Sequence, residues 1–506
     1  MTTVPDPPEA QRGLDAGVIK IAGVVVLGAI MSILDITVVS VALPTFQTEF
    51  GANYATVAWT MTGYTLALAT VIPLTGWAAD RFGTKRLYIL ALVLFVAGSV
   101  LCSSAWDISS LIAFRVLQGL GGGMLMPLGM TILTRAAGPD RIGRIMALLG
   151  IPMLLGPIGG PILGGWMIES LSWHWIFLIN LPIGLIGMAA AAKILPKDAP
   201  TPSESFDWTG MLLMSPGLAL FLFGVSSIPE EGTAASTRVL VPMAIGAVLI
   251  AAFVRHAFRP EHPLIDLRLF KNRQLTTAVI TLTLFAIAVM GAMLLIPSYF
   301  LQVRGESTLQ AGILVAPQGL GAMLTMPLAG RLVDRTGPGR IVLSGLVFVA
   351  VGLGVLTQVG ADTSYVVVLG ALFLMGMGMG ATMMPTMTAA LQTLTDHMIA
   401  RGSTMMNIVQ QVATSIGTAV MSVVLSSRLN DSELARPAIA SQSNPAIAEQ
   451  MPPGAIDQGL SDAASGFGTT FTVAVVLVVL TLVPAAFFPR RKTAAQGEGT
   501  SAMPVH

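Results

Sequence analysis

Gly76-Trp77-Ala78-Ala79-Asp80-Arg81-Phe82-Gly83-Thr84-Lys85-Arg86 recurs in outline as Gly330-Arg331-Leu332-Val333-Asp334-Arg335-Thr336-Gly337-Pro338-Gly339-Arg340. Gly, Asp, Arg, Gly and Arg fall at offsets 0, 4, 5, 7 and 10 in both stretches. Each stretch closes an apolar run of about 20 residues, the length that crosses a bilayer core as a helix. Two copies after corresponding runs predict a duplicated chain with two similar halves. The halves are then 18–196 and 272–489, with an inserted pair of helices at 207–257 and tails at 1–17 and 490–506.

Composition points the same way. Of 506 residues, 54% are hydrophobic and 10% are charged, against about 25% charged in soluble domains. A deficit of that size needs lipid as the solvent. The 53 Gly residues fit helices that pack closely in a bilayer. A net charge of +1, with the basic residues scattered among short loops, carries no nucleic-acid footprint. The single cysteine, Cys102, allows no disulfide within the chain. The N-terminal stretch lacks a basic n-region and reads as a short cytoplasmic tail before an uncleaved span.

Fourteen spans are predicted, at 18–43, 54–78, 87–105, 109–134, 145–168, 176–194, 209–228, 239–256, 274–301, 309–329, 341–359, 364–392, 404–427 and 467–488. With the N-terminus inside, 22 of the 27 Lys and Arg residues fall in cytoplasmic segments. Only Arg238, Arg304, Arg428 and Arg436 fall outside, and Arg115 lies within a span. That asymmetry predicts both termini in the cytoplasm. The stretch 428–465, rich in Ser, Ala, Pro and Asn, is expected to be a long external loop.

Several motifs resemble the major facilitator superfamily, and within it the fourteen-helix drug:proton antiporters (EmrB/QacA-type). The 76–86 stretch looks like that family's loop motif between helices two and three. Leu111-Ile-Ala-Phe-Arg115-Val-Leu-Gln118-Gly119-Leu-Gly121 is similar to the fourth-helix motif with its buried Arg, and Gly156-Pro-Ile-Gly-Gly160-Pro161-Ile-Leu-Gly164-Gly165 to the fifth-helix antiporter motif. Leu34-Asp35-Ile-Thr37-Val-Val-Ser-Val-Ala-Leu43-Pro44 resembles the first-helix motif of the drug-exporting branches. Trp173-His174-Trp175-Ile-Phe177-Leu-Ile-Asn180-Leu-Pro182 resembles the entry to helix six, with His174 where the family usually has Arg. The resemblance implies an all-α membrane protein of major facilitator fold, two six-helix bundles plus two extra helices. It also implies a secondary active transporter in a cytoplasmic or inner membrane.

The chemistry follows from what lies at membrane depth. No Walker A pattern is present, so an ion gradient is the expected energy source and no cofactor is expected. Asp35 is the only acidic residue well inside a predicted span and Arg115 the only basic one. Charge at that depth is expensive and marks functional candidates. Asp35 lies ~12 Å from the outer end of its span and Arg115 ~10 Å from the outer end of its own, at 1.5 Å per residue. The resemblance faces both helices toward a central cavity, which makes the two residues candidates for proton and substrate coupling; a structural ion pair is the alternative.

The resemblance also assigns Gly76, Asp80, Arg81, Gly83 and Arg86 to a cytoplasmic latch, with Asp334 and Arg335 as the second copy. Plain helix capping is the alternative reading. Gly156, Gly160, Pro161, Gly164 and Gly165 give helix five a smooth, kinked face, suited to a hinge or to close packing. Gln118, Gln318, Asn407, Gln410 and Gln411 are polar at or near span depth, either lining a cavity or bonding neighbouring helices. The methionines from Met375 to Met387 suit an adaptable pocket or ordinary packing. The five His residues show no metal spacing.

The expected activity is proton-coupled efflux of hydrophobic small molecules or drugs by alternating access. Export of an endogenous lipid or natural product on the same fold stays open. A membrane-embedded enzyme would need converging reactive groups that the spans do not supply. The expected partners are a hydrophobic substrate, H+ and the lipid bilayer, with no nucleic acid; a periplasmic adaptor is left open.

Overall fold

The structure, a computed structural model, describes residues 15–138, 141–197, 205–231, 233–392, 394, 396–442 and 445–489. The tails through residue 14 and from residue 490 lie outside the described residues. The described chain is helical, without strands. Its long helices are α1 Ala16–Phe50, α2 Tyr54–Phe82, α3 Thr84–Ser103, α4 Ile108–Ala137, α5 Ile142–Ser170, α6 Trp175–Ile194, α7 Trp208–Glu231, α8 Thr237–His256, α9 Arg273–Gln302, α10 Thr308–Thr336, α11 Pro338–Leu356, α12 Tyr365–Leu391, α13 Asp396–Asn430 and α14 Ala455–Ala485. Thirteen of these have a described stretch long and apolar enough to cross a membrane. The remaining one, α5, is 29 residues long with charge only at its ends, at Arg144 and Glu169. The protein is a multi-pass membrane protein.

The duplication is visible in the packing. In the first half α2 packs on α4, α3 on α4, α1 on α5, and α6 on α1 and α3. The second half repeats those pairings with every helix number raised by eight: α10 on α12, α11 on α12, α9 on α13, and α14 on α9 and α11. The two loop motifs also share a backbone. Gly83 (φ 92°) and Gly337 (φ 84°) each end one helix and begin the next in a conformation that side chains rarely adopt.

Small residues set the spacing inside each half. A Cβ on Gly98 would stand 2.6 Å from the Gln118 Cα, and one on Gly121 2.5 Å from the Phe95 amide nitrogen, so α3 and α4 meet backbone to backbone. In the second half, a Cβ on Gly378 would meet the Gly345 carbonyl oxygen at 2.4 Å. Contacts of this kind replace the hydrophobic drive that lipid does not provide.

The inserted pair is not peripheral. α7 packs on α8 and also touches α2 of the first half and α13 of the second. Ser215 donates to the Thr70 carbonyl at 2.8 Å, Trp59 stacks on Phe223, and Val225 and Ile228 pack with Ala419.

The expected loop at 428–465 needs correction. α13 continues to Asn430, short helices follow at Ala435–Ser441 and Pro445–Gln450, and α14 begins at Ala455. Ala435 and Ala438 are fully buried against α14, where Gly459 leaves room for the Leu434 carbonyl. Small residues that read as loop composition are here the contact face of a helical strap. The run at 364–392 is one helix despite Pro385.

A span count of fourteen puts exposed Lys197, after α6, and exposed Glu433, after α13, on opposite sides of the membrane. In a Cys102→Ala background, a cysteine at Glu433 is expected to react with an impermeant maleimide added outside intact cells. A cysteine at Lys197 is expected to react only after permeabilisation. Labelling of both from one side would overturn the fourteen-span topology.

Candidate functional site

Asp35 and Arg115 meet. Asp35, on α1, is 2% exposed, and Arg115, on α4, is fully buried. The Arg115 Nη1 donates to Asp35 Oδ2 in a short charge-assisted contact. Four helices supply the remaining partners. Arg115 Nε donates to the Thr60 carbonyl of α2 at 2.9 Å, and its Nη1 to Gln118 Oε1 at 2.7 Å. Gln118 Nε2 donates to Asp35 Oδ1 at 2.7 Å and to Ser99 Oγ of α3 at 3.0 Å. Asn180 Nδ2, on α6, donates to Ser99 Oγ at 2.9 Å and to Asp35 Oδ1 at 3.3 Å. Ser99 Oγ in turn donates a hydrogen bond to the Phe177 carbonyl at 3.1 Å.

Aromatic rings complete the enclosure. The guanidinium carbon lies 4.2 Å from the Tyr64 ring centroid and 5.8 Å from that of Phe177. The carboxylate thus meets three donor groups and no water-exposed face. Removing either member of such a pair leaves an uncompensated buried charge, at a cost of about 3–5 kcal/mol.

The fifth-helix glycines lie beside this centre. A Cβ on Gly156 would stand 2.2 Å from Ile33 Cγ2, one on Gly160 2.0 Å from Thr37 Oγ1, and one on Gly164 3.2 Å from the Val38 carbonyl oxygen. These positions on α1 flank Asp35, so the glycine face lets α5 lie directly against the helix that carries it. Gly165 faces open space. The Pro161 side chain lies outside the described residues.

The loop motif lies between the halves. Asp80, with its side chain 10% exposed, is 3.4 Å from Arg135 at the end of α4 and 3.7 Å from Arg401 near the start of α13. A Cβ on Gly76 would stand 3.0 Å from Thr404 Oγ1 and 3.5 Å from the Arg401 Cα. Gly76 and Asp80 therefore hold the first half against the second at this end. Gly83 makes the turn, Arg81 is half-buried and Arg86 exposed. In the second copy Arg335 is exposed, and the Asp334 side chain lies outside the described residues.

Methionines close the same end. Met326 and Met384 pack where a Cβ on Gly150 of α5 would sit, and Asn407 Nδ2 of α13 points at Met130 Sδ of α4, 3.2 Å away. Met375, Met379, Met383, Met384 and Met387 are all buried. Gln318 is 3% exposed, and its Nε2 lies 3.1 Å from the Met379 Sδ of α12. Gln118 belongs to the charged centre, while Gln410 and Gln411 are half-buried on α13. Sequence reasoning gave no role to Ser99 or Thr60 and counted Arg135 and Arg401 only as topology markers. A polar side chain inside an apolar run was the available signal for Ser99.

Comparison with known proteins agrees with this geometry. The Major Facilitator Superfamily model matches residues 25–418. The chain belongs to the major facilitator superfamily. A "Multidrug resistance protein B homolog" from Mycobacterium tuberculosis is 51% identical over 493 residues, covering 95% of this chain and 91% of that one. A "Putative multidrug resistance protein MdtD" from Klebsiella pneumoniae is 32% identical over 406 residues, covering 79% and 85%. Among solved structures, the human organic anion transporter MFSD10 superposes with a TM-score of 0.61 at 16% identity, over 91% of this chain and 99% of that one. The proton:xylose symporter XylE superposes with a TM-score of 0.56 at 13% identity, over 92% and 96%. This superfamily member is a membrane transporter and not an enzyme.

The partly exposed contacts of Asp80 set the size of the effect its loss should have. Asp80→Asn is expected to speed labelling of a cysteine placed at Met326 by roughly two- to fivefold, the effect of losing about 0.5–1 kcal/mol from one of two states. An unchanged labelling rate in a well-folded variant would remove the latch assignment.

Proposed function

We propose that this transporter exports hydrophobic small molecules, drugs among them, across the cytoplasmic membrane in exchange for external protons. The observation that carries the reading is the sealed centre around Asp35. It is the single carboxylate well inside the spans, held by Arg115, Gln118 and Asn180 away from water. A carboxylate in that position is suited to taking a proton on one side of the membrane and releasing it on the other. The multidrug-resistance names of the relatives, one at 51% identity, support small-molecule drugs as cargo.

Transport then runs by rocking of the two halves. The Gly76–Asp80 contact with α13 represents closure at the cytoplasmic end, and its opening would admit substrate from inside. One proton crossing 100 mV supplies ~2.3 kcal/mol, enough for a gradient of roughly fiftyfold at 1.4 kcal/mol per factor of ten.

Reconstituted into liposomes, the protein is expected to accumulate the lipophilic monocation ethidium only when a pH gradient is imposed. Asp35→Asn should lower that accumulation roughly tenfold or more. Normal gradient-driven transport by a folded Asp35→Asn protein would end the proposal.

Substrate charge gives a separate check. The carboxylate oxygens of Asp35 are already engaged, and among the described residues no second acid lies beside them to balance a dication in low dielectric. In a matched dye series, dications should be exported roughly tenfold less well than monocations, about the effect of 1.4 kcal/mol. Equal export would show that another carboxylate reaches the substrate.

A further inference from the structure

We propose that Asn180 reads the protonation state of Asp35, its side-chain amide turning from donor to acceptor when the carboxylate takes up a proton. The inference rests on the reading of Asp35 as the proton site. It names a positioning residue that the transport reading alone does not require.

The argument begins with what surrounds the carboxylate. Arg115 Nη1 faces Oδ2, while Gln118 Nε2 and Asn180 Nδ2 face Oδ1. All three are donors that suit an ionised carboxylate. A proton delivered from outside water to Asp35 makes a neutral carboxyl whose O–H needs an acceptor. One neighbour must therefore reverse its polarity.

Arg115 cannot, because a guanidinium has no acceptor. Gln118 is locked. Its Oε1 accepts from Arg115 Nη1 at 2.7 Å, and turning the amide would set Nε2 against that guanidinium, donor to donor. Asn180 is under no such constraint. Its Nδ2 serves Asp35 and Ser99, and its Oδ1 accepts no hydrogen bond from the described residues. Turned over, the Oδ1 would accept from the Asp35 carboxyl.

Ser99 completes the exchange. Its hydroxyl now accepts from Asn180 and donates to the Phe177 carbonyl. When Asn180 presents an oxygen instead, that hydroxyl can rotate to donate to it, which releases Phe177. Phe177 and Asn180 lie on either side of Leu178 and Ile179, where the helical hydrogen bonding of α6 is interrupted between Leu178 and Asn180. The proton on α1 is thereby translated into a changed bond between α3 and the irregular turn of α6. When the proton leaves toward the cytoplasm the same bonds revert, so no group is consumed.

The other titratable or charged groups around Asp35 are Arg115 from α4, Tyr64 from α2 and Cys102 from α3. From α6 the contact is Asn180, and on α5 the glycines at 156, 159, 160 and 164 lie against this stretch of α1.

Infrared difference spectra of the full-length protein in lipid, recorded as the pH is lowered, provide the test. Loss of a protonated-carboxyl carbonyl band in Asp35→Asn assigns that band. In Asn180→Leu the band is expected to persist but move to higher wavenumber, as a carboxyl does on losing a hydrogen-bond partner. Ser99→Ala, which removes only a hydroxyl, should give a smaller shift in the same sense and carries the test if Asn180→Leu does not fold. In liposomes Asn180→Leu should lose tenfold or more of gradient-driven accumulation, a loss of about 1.4 kcal/mol of coupling. A band unmoved in both variants would overturn the role of Asn180 even if proton-driven transport is confirmed. The absence of any Asp35 band in the unsubstituted protein would overturn it as well. Failure of gradient-driven transport with the band shifts intact would instead count against the transport reading alone.

Discussion

A single buried ion pair, Asp35 with Arg115, organises the first half of this molecule. Neither charge is tolerable alone in the low-dielectric interior, and together they still leave several donors and acceptors to satisfy. Thr60 from α2, Ser99 from α3, Gln118 from α4 and Asn180 from α6 are brought in to do so. Five of the six helices are therefore tied to one point. A pair of this kind is weak evidence for stability, because an apolar replacement of similar volume often serves as well. Its retention is better understood through what a titratable group at that depth can do.

The second half shows what the duplicated architecture looks like without such a centre. Counting back from the shared loop motif, Tyr64 on α2 corresponds to Gln318 on α10. Tyr64 covers the Arg115 guanidinium, whereas the Gln318 amide donates to the thioether of Met379. The same helix pairings are held there by glycine contacts and buried methionines. The fold thus does not need the ion pair to form. Charge chemistry is concentrated in one half, while the other presents soft, adaptable side chains.

Much of this was legible from residues. The fourteen spans follow from apolar length, and the duplication from eleven-residue loop patterns that prove to share a positive φ at Gly83 and Gly337. Asp35 and Arg115 stood out because lipid makes charge conspicuous. The helix at Ala435–Ser441 did not, because Ala, Ser and Pro at that density read as loop, whereas here they are buried against α14. Arg401 was equally opaque. Nothing local distinguishes an arginine that anchors topology from one that reaches Asp80 across the interface between halves. Gln318 left two readings open for a related reason, since polarity alone does not reveal whether a side chain faces a cavity or a neighbouring helix.

The centre and the latch are joined by geometry rather than by a chain of side chains. Thr60 and Asp80 lie 20 residues apart on α2, and Arg115 and Arg135 lie 20 apart on α4. The two helices run side by side, and each pair is bonded, at 2.9 Å near the centre and 3.4 Å at the latch. Twenty residues of helix span ~30 Å, so α2 and α4 are tied at two levels about that far apart. Between the ties, Gly119 and Gly123 admit the Tyr64 and Leu68 carbonyls, which leaves little room for sliding. A pair fixed in this way moves as one body. In the proposed transport cycle, a change in how Arg115 engages Asp35 would act on the position of Asp80, and through Arg401 on the contact between the two halves at that end. The coupling requires only one stiff pair of helices and two charged contacts, each with a different partner to lose.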